Sequence, residues 1–390
     1  MKTIKTGSDF SGVGAFDYAI NRVSKEKGFN HERVFACDWD KFARITYAHN
    51  HGTPKYYPHD VYEREIPEKP LDAYITSPPC QDFSIAGKTP EESSKTILFF
   101  NSLEFIQVNK PRFFIFENVK GLLSHNKSNK EEKIGKTFRE WLNLLGGKSV
   151  NGLPILFKDE NAVDYHIYWK VLNTKKYGVP QNRERVFIVG IRDDVDNSFT
   201  WPKEEYLTTK LKDILENEVD EKYFLSDKMV NQLLSKGINT DFLDVDRISN
   251  TLRCGGGGSL TEKHSFDMIK IIGNTNPSGN GMNGNVFDED GSGQPVICVP
   301  VLTPDRAEKR QNGRRFKNDG DPSFTLTAQD KHGIFDGMKI RRLTPRECFR
   351  LQDFPEDFDF SVVSDSQAYK QAGNSITVRV LELILLKLNL

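Results

Sequence analysis

The chain has 390 residues, of which 37% are hydrophobic and 28% are charged, and its formal net charge at pH 7 is −1. This is ordinary usage for a soluble protein long enough for two domains. No apolar run is long enough to cross a membrane and the amino terminus lacks a signal-peptide core, so we expect a cytoplasmic protein. The five cysteines are odd in number, widely spaced and form no CxxC pair, which argues against a disulfide framework or a zinc site.

The first half of the chain alternates short apolar strands with amphipathic helices. Strands are predicted at residues 4–10, 34–37, 71–76, 112–116, 165–172 and 185–191, and helices at 16–27, 41–50, 96–108 and 138–145. Such alternation predicts an α/β fold with a mostly parallel sheet and helices on both faces. The polar stretch 146–164 is predicted to be a surface insertion, with no role that we can assign.

The character of the chain changes after about residue 195, where Gly, Asn and Ser become dense. Interspersed Ile, Val, Phe and Leu favour a loop-rich recognition domain over disorder. In residues 306–317, six of twelve residues are Lys or Arg, interrupted by Gln311, Asn312 and Gly313. This run has the chemistry to contact phosphates and base edges, although a solvated basic face is the commoner meaning of such a run. A helix is predicted at residues 376–388.

A single cysteine follows the third predicted strand. Residues 71–76 lead into Ser77-Pro78-Pro79-Cys80-Gln81. A prolyl pair cannot continue the hydrogen-bond ladder of a strand, so Cys80 is expected at the carboxyl end of the strand, where catalytic groups collect in open α/β sheets. Cys80 is therefore a candidate nucleophile. Taken alone, a cysteine is more often a small buried hydrophobe.

Two further strand ends carry polar groups. Glu117 follows the apolar strand 112–116, and a carboxyl group there is expected to have a raised pKa and to donate a proton, unless a salt bridge holds it ionised. Gln181, Arg183 and Arg185 alternate along an extended segment, which suits the binding of an anionic or carbonyl-bearing ligand. For this segment alone, pairing with surface acids is the commoner arrangement.

A glycine-containing turn, Asp9-Phe10-Ser11-Gly12-Val13-Gly14, follows the first strand. The third glycine of a dinucleotide-binding fingerprint is replaced by Asp17, so phosphate binding is not supported. After the second strand, Asp38 has the chemistry to hold ribose hydroxyls and Trp39 to stack on a purine, and Asp60 has the chemistry to accept from an adenine amino group. A surface acid and a core aromatic are equally compatible with the first pair.

In chain order, the motifs DFSGVG, DW, HD, PPCQ, ENV, QNRER, RRLTPRECFRLQDFP and QAGNSITVRV resemble the motif series of the DNA cytosine-5 methyltransferases, of the prokaryotic and phage type found in type II restriction-modification systems. The resemblance covers residues 4–191 and 325–390. It implies the Rossmann-like fold of S-adenosylmethionine-dependent methyltransferases, with a smaller, mainly β, target-recognition domain. The implied boundaries are 1–195 and 337–390 for the catalytic domain and 196–336 for the recognition domain.

The resemblance also implies roles for individual residues. In this family the PPCQ cysteine adds to C6 of a flipped-out cytosine, and C5 then takes a methyl group from S-adenosylmethionine. Cys80 matches the nucleophile, Glu117 the group that protonates cytosine N3, Arg185 the contact to cytosine O2, and Arg183 the arginine that orients the glutamate. The matching cofactor contacts are Phe10, Gly12, Gly14, Asp38, Trp39, Asp60, Pro79, Asn374 and Ser375. For DNA contacts we predict Gln81, Ser84, Gln311, Asn312, Arg314, Arg315, Thr325 and Leu326, and no metal is expected.

The leading hypothesis is a monomeric enzyme that methylates duplex DNA at a specific sequence and has a restriction endonuclease as its genetic partner in some systems. The first alternative is a tRNA cytosine-5 methyltransferase on the same fold, which the roughly 140-residue recognition region disfavours. A non-catalytic DNA-binding regulator would be expected to have lost Cys80, Glu117 or the arginines. A nicotinamide oxidoreductase is disfavoured by the incomplete glycine fingerprint.

Overall fold

A computed structural model describes residues 1–79, 94–129, 131–224, 226, 270–274, 285–288, 299–302, 316–317, 321–326, 332–335 and 340–390. Its strands are β1 (Thr3–Asp9), β2 (Asn30–Cys37), β3 (Ala73–Thr76), β4 (Phe113–Val119), β5 (Ser149–Val150), β6 (Leu153–Pro154), β7 (Tyr165–Asn173), β8 (Glu184–Arg192), β9 (Lys270–Asn274), β10 (Asn285–Asp288), β11 (Val299–Leu302), β12 (His332–Phe335) and β13 (Ile340–Arg342). Its helices are α1 (Ala15–Lys27), α2 (Lys41–His51), α3 (Ser94–Asn109), α4 (Lys136–Leu145), α5 (Pro345–Arg350), α6 (Asp365–Asn374) and α7 (Val378–Leu386).

An eight-stranded sheet forms the centre of the molecule, in the order β2-β1-β3-β4-β8-β7-β5-β6. The strands β2, β1, β3 and β4 are parallel to one another, as predicted for the first half of the chain. In contrast, β8 is antiparallel to both β4 and β7. The physical reason is the connection of ten residues between β7 and β8, which is too short for the helical crossover that a parallel pair needs.

Helices cover both faces of this sheet, which confirms the predicted layer architecture. On one face, α1 and α7 bury Ala19, Val23 and Leu381 against the sheet. On the other face, α3 and α4 pack together through Phe99 and Trp141, whose rings stack at 4.0 Å. Burial of these apolar side chains provides the main free energy that holds the sheet and its loops in place.

Local sequence signals set the helix ends near the sheet edge. Helix α1 starts after Gly14, which has a left-handed φ of 86°. Helix α2 starts after Asp40, whose carboxylate accepts hydrogen bonds from the backbone N–H groups of Phe42 and Ala43. Helix α5 carries Pro in its first turn and a capping box between Thr344 and Glu347. The predicted carboxyl-terminal helix is present as α7, and the separate helix α6 before it was missed because its sequence is polar.

The predicted insertion 146–164 contains the β5–β6 hairpin, which extends the edge of the main sheet through β7. From the predicted recognition region, β11 and β12 form a small antiparallel sheet with β13. The side chains of Phe199, Leu211 and Ile214 belong to the same core cluster as α1 and α7. The domain boundaries at 195 and 336 therefore stay a prediction. In the described part of the chain, the helices are too short or too polar to cross a bilayer.

Candidate active site

Three loops meet at the carboxyl edge of the parallel strands. The register places Asp9 beside Thr76 and Thr76 beside Phe116, so that β1 and β3 end side by side and β4 continues past them to Val119. The side-chain amide of Asn118 donates to the carbonyl oxygen of Pro78 at 3.2 Å. This hydrogen bond holds the chain two residues before Cys80 against the strand that carries Glu117.

Glu117 is buried and forms an ion pair with Arg185, with 3.2 Å between Oε1 and Nε. The contact follows from the antiparallel register of β4 and β8, in which Val119 lies opposite Arg185 and Glu117 lies two residues before Val119. Burial raises the pKa of the Glu117 carboxyl group above its usual value, and the positive charges of Arg185 and Arg183 oppose that rise. The net shift is towards a higher pKa, which is the direction that an acid catalyst needs.

Arg183 is anchored by backbone carbonyl groups from two distant segments of the chain. Its guanidinium donates to the carbonyl oxygens of Leu326 at 2.8 Å, Ser375 at 2.6 Å and Gly373 at 3.2 Å. Arg185 makes the ion pair with Glu117. Arg183 acts on Glu117 electrostatically, through its charge. Its hydrogen bonds join the QNRER segment to the carboxyl-terminal segment that carries Asn374 and Ser375.

Residues 321–326 run alongside the QNRER segment. Asn182 N donates to Ser323 O at 3.0 Å, and Ser323 N donates to Pro180 O at 2.8 Å. The buried side chain of Gln181 accepts from Leu326 N at 3.1 Å, and the hydroxyl of Thr325 donates to Asn182 O. Thr325 and Leu326, which we predicted as DNA contacts, thus lie directly against the segment with the predicted cytosine contact. Leu326 is itself buried, so its backbone is the part that makes these contacts.

The glycine-containing turn after β1 has the unusual backbone that its sequence predicts. Phe10, Gly12 and Gly14 all have positive φ values, of 55°, 55° and 86°. A Cβ on Gly14 would lie 2.2 Å from Nε2 of His51, so a glycine is required there. The turn is held by Asp38, whose Oδ2 accepts from Gly12 N at 2.7 Å and whose Oδ1 accepts from Asp40 N at 2.8 Å.

The other predicted cofactor residues lie near the carboxyl edge of the parallel strands. The indole of Trp39 is 84% exposed, which is unusual for so large an apolar ring. Asp60 is half-buried in a loop, where its Oδ1 accepts from Tyr62 N at 2.9 Å. Pro79 and Asn374 are exposed, and Ser375 is buried.

A buried ion pair beneath the turn has no counterpart in our sequence predictions. Nε of Arg64 lies 3.0 Å from Oδ1 of Asp9, and the hydroxyl of Tyr74 donates to Oδ2 of Asp9 at 2.6 Å. The guanidinium of Arg64 also lies over the ring of Phe105, 4.6 Å from its centroid. Asp9 directly precedes the turn, so this network fixes the end of β1. Only the apolar setting of Asp9, at the end of a strand, could have suggested that it needs a buried partner.

Several predicted residues lie outside the described residues, namely Cys80, Gln81, Ser84, Gln311, Asn312, Arg314 and Arg315. The free cysteines of the described part are Cys37 and Cys348, and both are buried. Burial raises the pKa of both thiols, which makes them poor nucleophiles. Among the described residues, no cluster of three or more side chains suits a metal ion.

The sequence and the fold are both similar to known proteins. Residues 4–389 match the family model for C-5 cytosine-specific DNA methylases. The chain is 33% identical to the orphan methyltransferase M.SPRI of Bacillus phage SPR, over 98% of this chain and 97% of that protein. It is 32% identical to the type II methyltransferase M.HpaII of Haemophilus parainfluenzae, over 96% and 86%. A DNA modification methyltransferase encoded by an E. coli prophage shares the fold, with a TM-score of 0.58 and 18% identity over 98% of each chain.

Proposed function

The chain belongs to the C-5 cytosine-specific DNA methylases and is a DNA (cytosine-5-)-methyltransferase, and from this premise we propose that it methylates one cytosine within a specific sequence of duplex DNA through a covalent adduct with Cys80. The observation that carries the proposal is the ion pair between the buried Glu117 and the half-buried Arg185, next to the loop that leads into Cys80. We place the reaction in the cytoplasm, with a monomer as the acting unit. M.SPRI is called an orphan methyltransferase, which supports action without a restriction partner.

The proposed chemistry begins when the target cytosine is rotated out of the duplex, since C6 is inaccessible within the base stack. The Cys80 thiolate adds to C6, and the electron pair of the C5–C6 double bond moves to C5. Glu117 donates its proton towards N3 and so accepts the charge that the addition creates. After C5 has been alkylated, a solvent water takes the C5 proton, the C5–C6 double bond re-forms as the thiolate leaves, and N3 returns its proton to the Glu117 carboxylate.

The cofactor that fits the site is S-adenosylmethionine, which supplies an electrophilic methyl group on a sulfonium sulfur. The exposed indole of Trp39 leaves a face free for a purine, beside the Asp38 carboxylate. The positive-φ backbone at Phe10 and Gly12 brings main-chain groups close to the same edge of the sheet. Asn374 and Ser375, held by Arg183, complete this side of the pocket.

The first test is bisulfite sequencing of DNA and tRNA from cells that lack cytosine methylation and express the chain, with Cys80→Ala as control. We expect unconverted cytosines in one recurrent DNA context, and none in the control. Modified tRNA with unmodified DNA would overturn the DNA assignment. Modification in the control would overturn the role of Cys80.

The second test traps the adduct. Duplex DNA with 5-fluorocytosine at the target position cannot lose a proton from C5, so the bond between Cys80 and C6 should persist in the presence of S-adenosylmethionine. We expect a denaturation-stable protein–DNA complex with the wild type and none with Cys80→Ala. A fully active wild type that forms no such complex would exclude the covalent route.

A further inference from the structure

We propose that Arg44 is a positioning residue for the adenosine half of the cofactor, because it joins the two loops predicted to hold the ribose and the adenine. This inference rests on the proposed function, since it assumes that S-adenosylmethionine binds beside Asp38 and Trp39. Arg44 lies in the first turn of α2 and is half-buried. It belongs to none of the residues that the motif resemblance assigned.

The contacts of Arg44 define its role. One terminal nitrogen of the guanidinium donates to Asp38 O at 3.2 Å and to Pro58 O at 2.7 Å. The other donates to Tyr57 O at 2.7 Å. The guanidinium also stacks over the ring of Tyr57, 3.8 Å from its centroid. One side chain thus binds three carbonyl groups and one ring face.

The two loops carry different predicted contacts. The first loop follows β2 and contains Asp38 and Trp39, while the second loop leads from Tyr57 to Asp60. The spacing between the ribose and adenine contacts therefore depends on how closely the two loops are held. A planar guanidinium fits several carbonyls at fixed angles, whereas the single ammonium group of a lysine does not.

The residues around Arg44 indicate that it acts by holding the two loops in position more than by its charge. The carboxylate of Asp38 already accepts two backbone hydrogen bonds, and the charge of Arg44 has only a minor effect on its pKa compared with burial. Tyr57 packs on Tyr47 at 5.2 Å between ring centroids, so its ring has a second fixed neighbour. Loss of Arg44 should let the two loops move apart and leave the predicted cytosine contacts, Glu117 and Arg185, in place.

The experiment compares Arg44→Gln and Arg44→Lys with the wild type in the full chain. The probe is S-adenosylhomocysteine, titrated by calorimetry. The matched control is Arg139→Gln, which changes an exposed arginine on α4 that bonds to Ile134 O. We expect a rise in Kd of about tenfold for both Arg44 variants, the effect of losing roughly one charge-assisted hydrogen bond. The KM for S-adenosylmethionine should rise similarly, with kcat at saturation and the KM for DNA within about twofold of the wild type.

The remaining outcomes of the titration separate the proposed role of Arg44 from the proposed function. If the wild type does not bind S-adenosylhomocysteine, the proposed function fails. If the wild type binds it and both Arg44 variants bind equally well, the positioning role is wrong. Full recovery in Arg44→Lys would also overturn the proposal, since charge alone would then suffice. A reduced binding stoichiometry with unchanged Kd in the remaining protein would show that Arg44 only supports folding.

Discussion

The substitution Glu117→Gln should separate the acid role of Glu117 from its contribution to stability. The side chain of Glu117 is 9% exposed and its Oε1 lies 3.2 Å from Nε of Arg185. At an effective dielectric constant of about 20, this distance corresponds to an attraction of about 5 kcal/mol for an ionised pair. The pKa of Glu117 is nevertheless raised, because burial outweighs the opposing charges of Arg185 and Arg183.

Glutamine has the shape of the protonated carboxyl group but cannot give up a proton. We therefore expect kcat to fall by about 10²- to 10⁴-fold, equivalent to about 3–5 kcal/mol in the barrier, with little change in the Kd of S-adenosylhomocysteine. In the wild type, the activity that depends on a protonated Glu117 should decline as the pH rises through its raised pKa. This alkaline decline should be absent from the residual activity of the variant.

The free energy of unfolding of the wild type should also decline as the pH rises. Because the folded state binds the Glu117 proton more tightly than the unfolded state, the wild type should lose free energy of unfolding relative to Glu117→Gln as the pH rises from the ordinary carboxyl range through the raised pKa. The limiting slope is about 1.4 kcal/mol per pH unit. Urea unfolding at several pH values measures it, and Glu140→Gln, an exposed acid on α4, serves as control. A variant that keeps kcat within threefold, or a difference in stability that does not change with pH, would refute this reasoning.

Three further substitutions test the surroundings of the site. Gly14→Ala should raise the Kd of S-adenosylhomocysteine at least about tenfold and lower the free energy of unfolding by about 1–3 kcal/mol, because Gly14 has a positive φ and an added Cβ would clash with His51. Gly28→Ala, at a position with positive φ but open space, should keep binding, and equal binding by both alanine variants would contradict this. Arg64→Met should lower the free energy of unfolding, measured in urea, by about 3–5 kcal/mol, since it leaves the buried Asp9 carboxylate without an opposite charge. Adding Asp9→Asn should recover part of the loss, and additive losses would argue against the pair. Thr325→Val removes the hydrogen bond to Asn182 O and should raise the KM for DNA by a factor of about five, the effect of about 1 kcal/mol, without changing the Kd of S-adenosylhomocysteine. An unchanged KM for DNA would show that this hydrogen bond has no part in DNA binding.

Much of the fold followed from local patterns. Strand β4 was predicted because Phe113 to Phe116 form a continuous apolar run, and the end of β3 because a prolyl pair follows it. These signals are local because side-chain periodicity and the missing N–H of proline act within a few residues. The antiparallel direction of β8 was not predicted, since apolar content gives no strand direction.

At the site, too, some features followed from local sequence and others from long-range packing. Residue type and the apolar pattern before each residue marked Glu117 and Asp38 as candidates, and both lie at the carboxyl edge of the sheet. Their identification needed only residue type and position near the end of an apolar run, although Glu117 lies inside β4, which runs on to Val119. Which of these groups meet depends on how distant segments of the chain pack. The tertiary structure paired Glu117 with Arg185, and it placed Arg183 on carbonyl groups that lie 143 to 192 residues further along the chain. Backbone carbonyls leave no signature in the sequence, and hydrogen bonds to them depend on how distant segments pack, so the contacts of Arg183 and Arg44 exist only once the chain has folded.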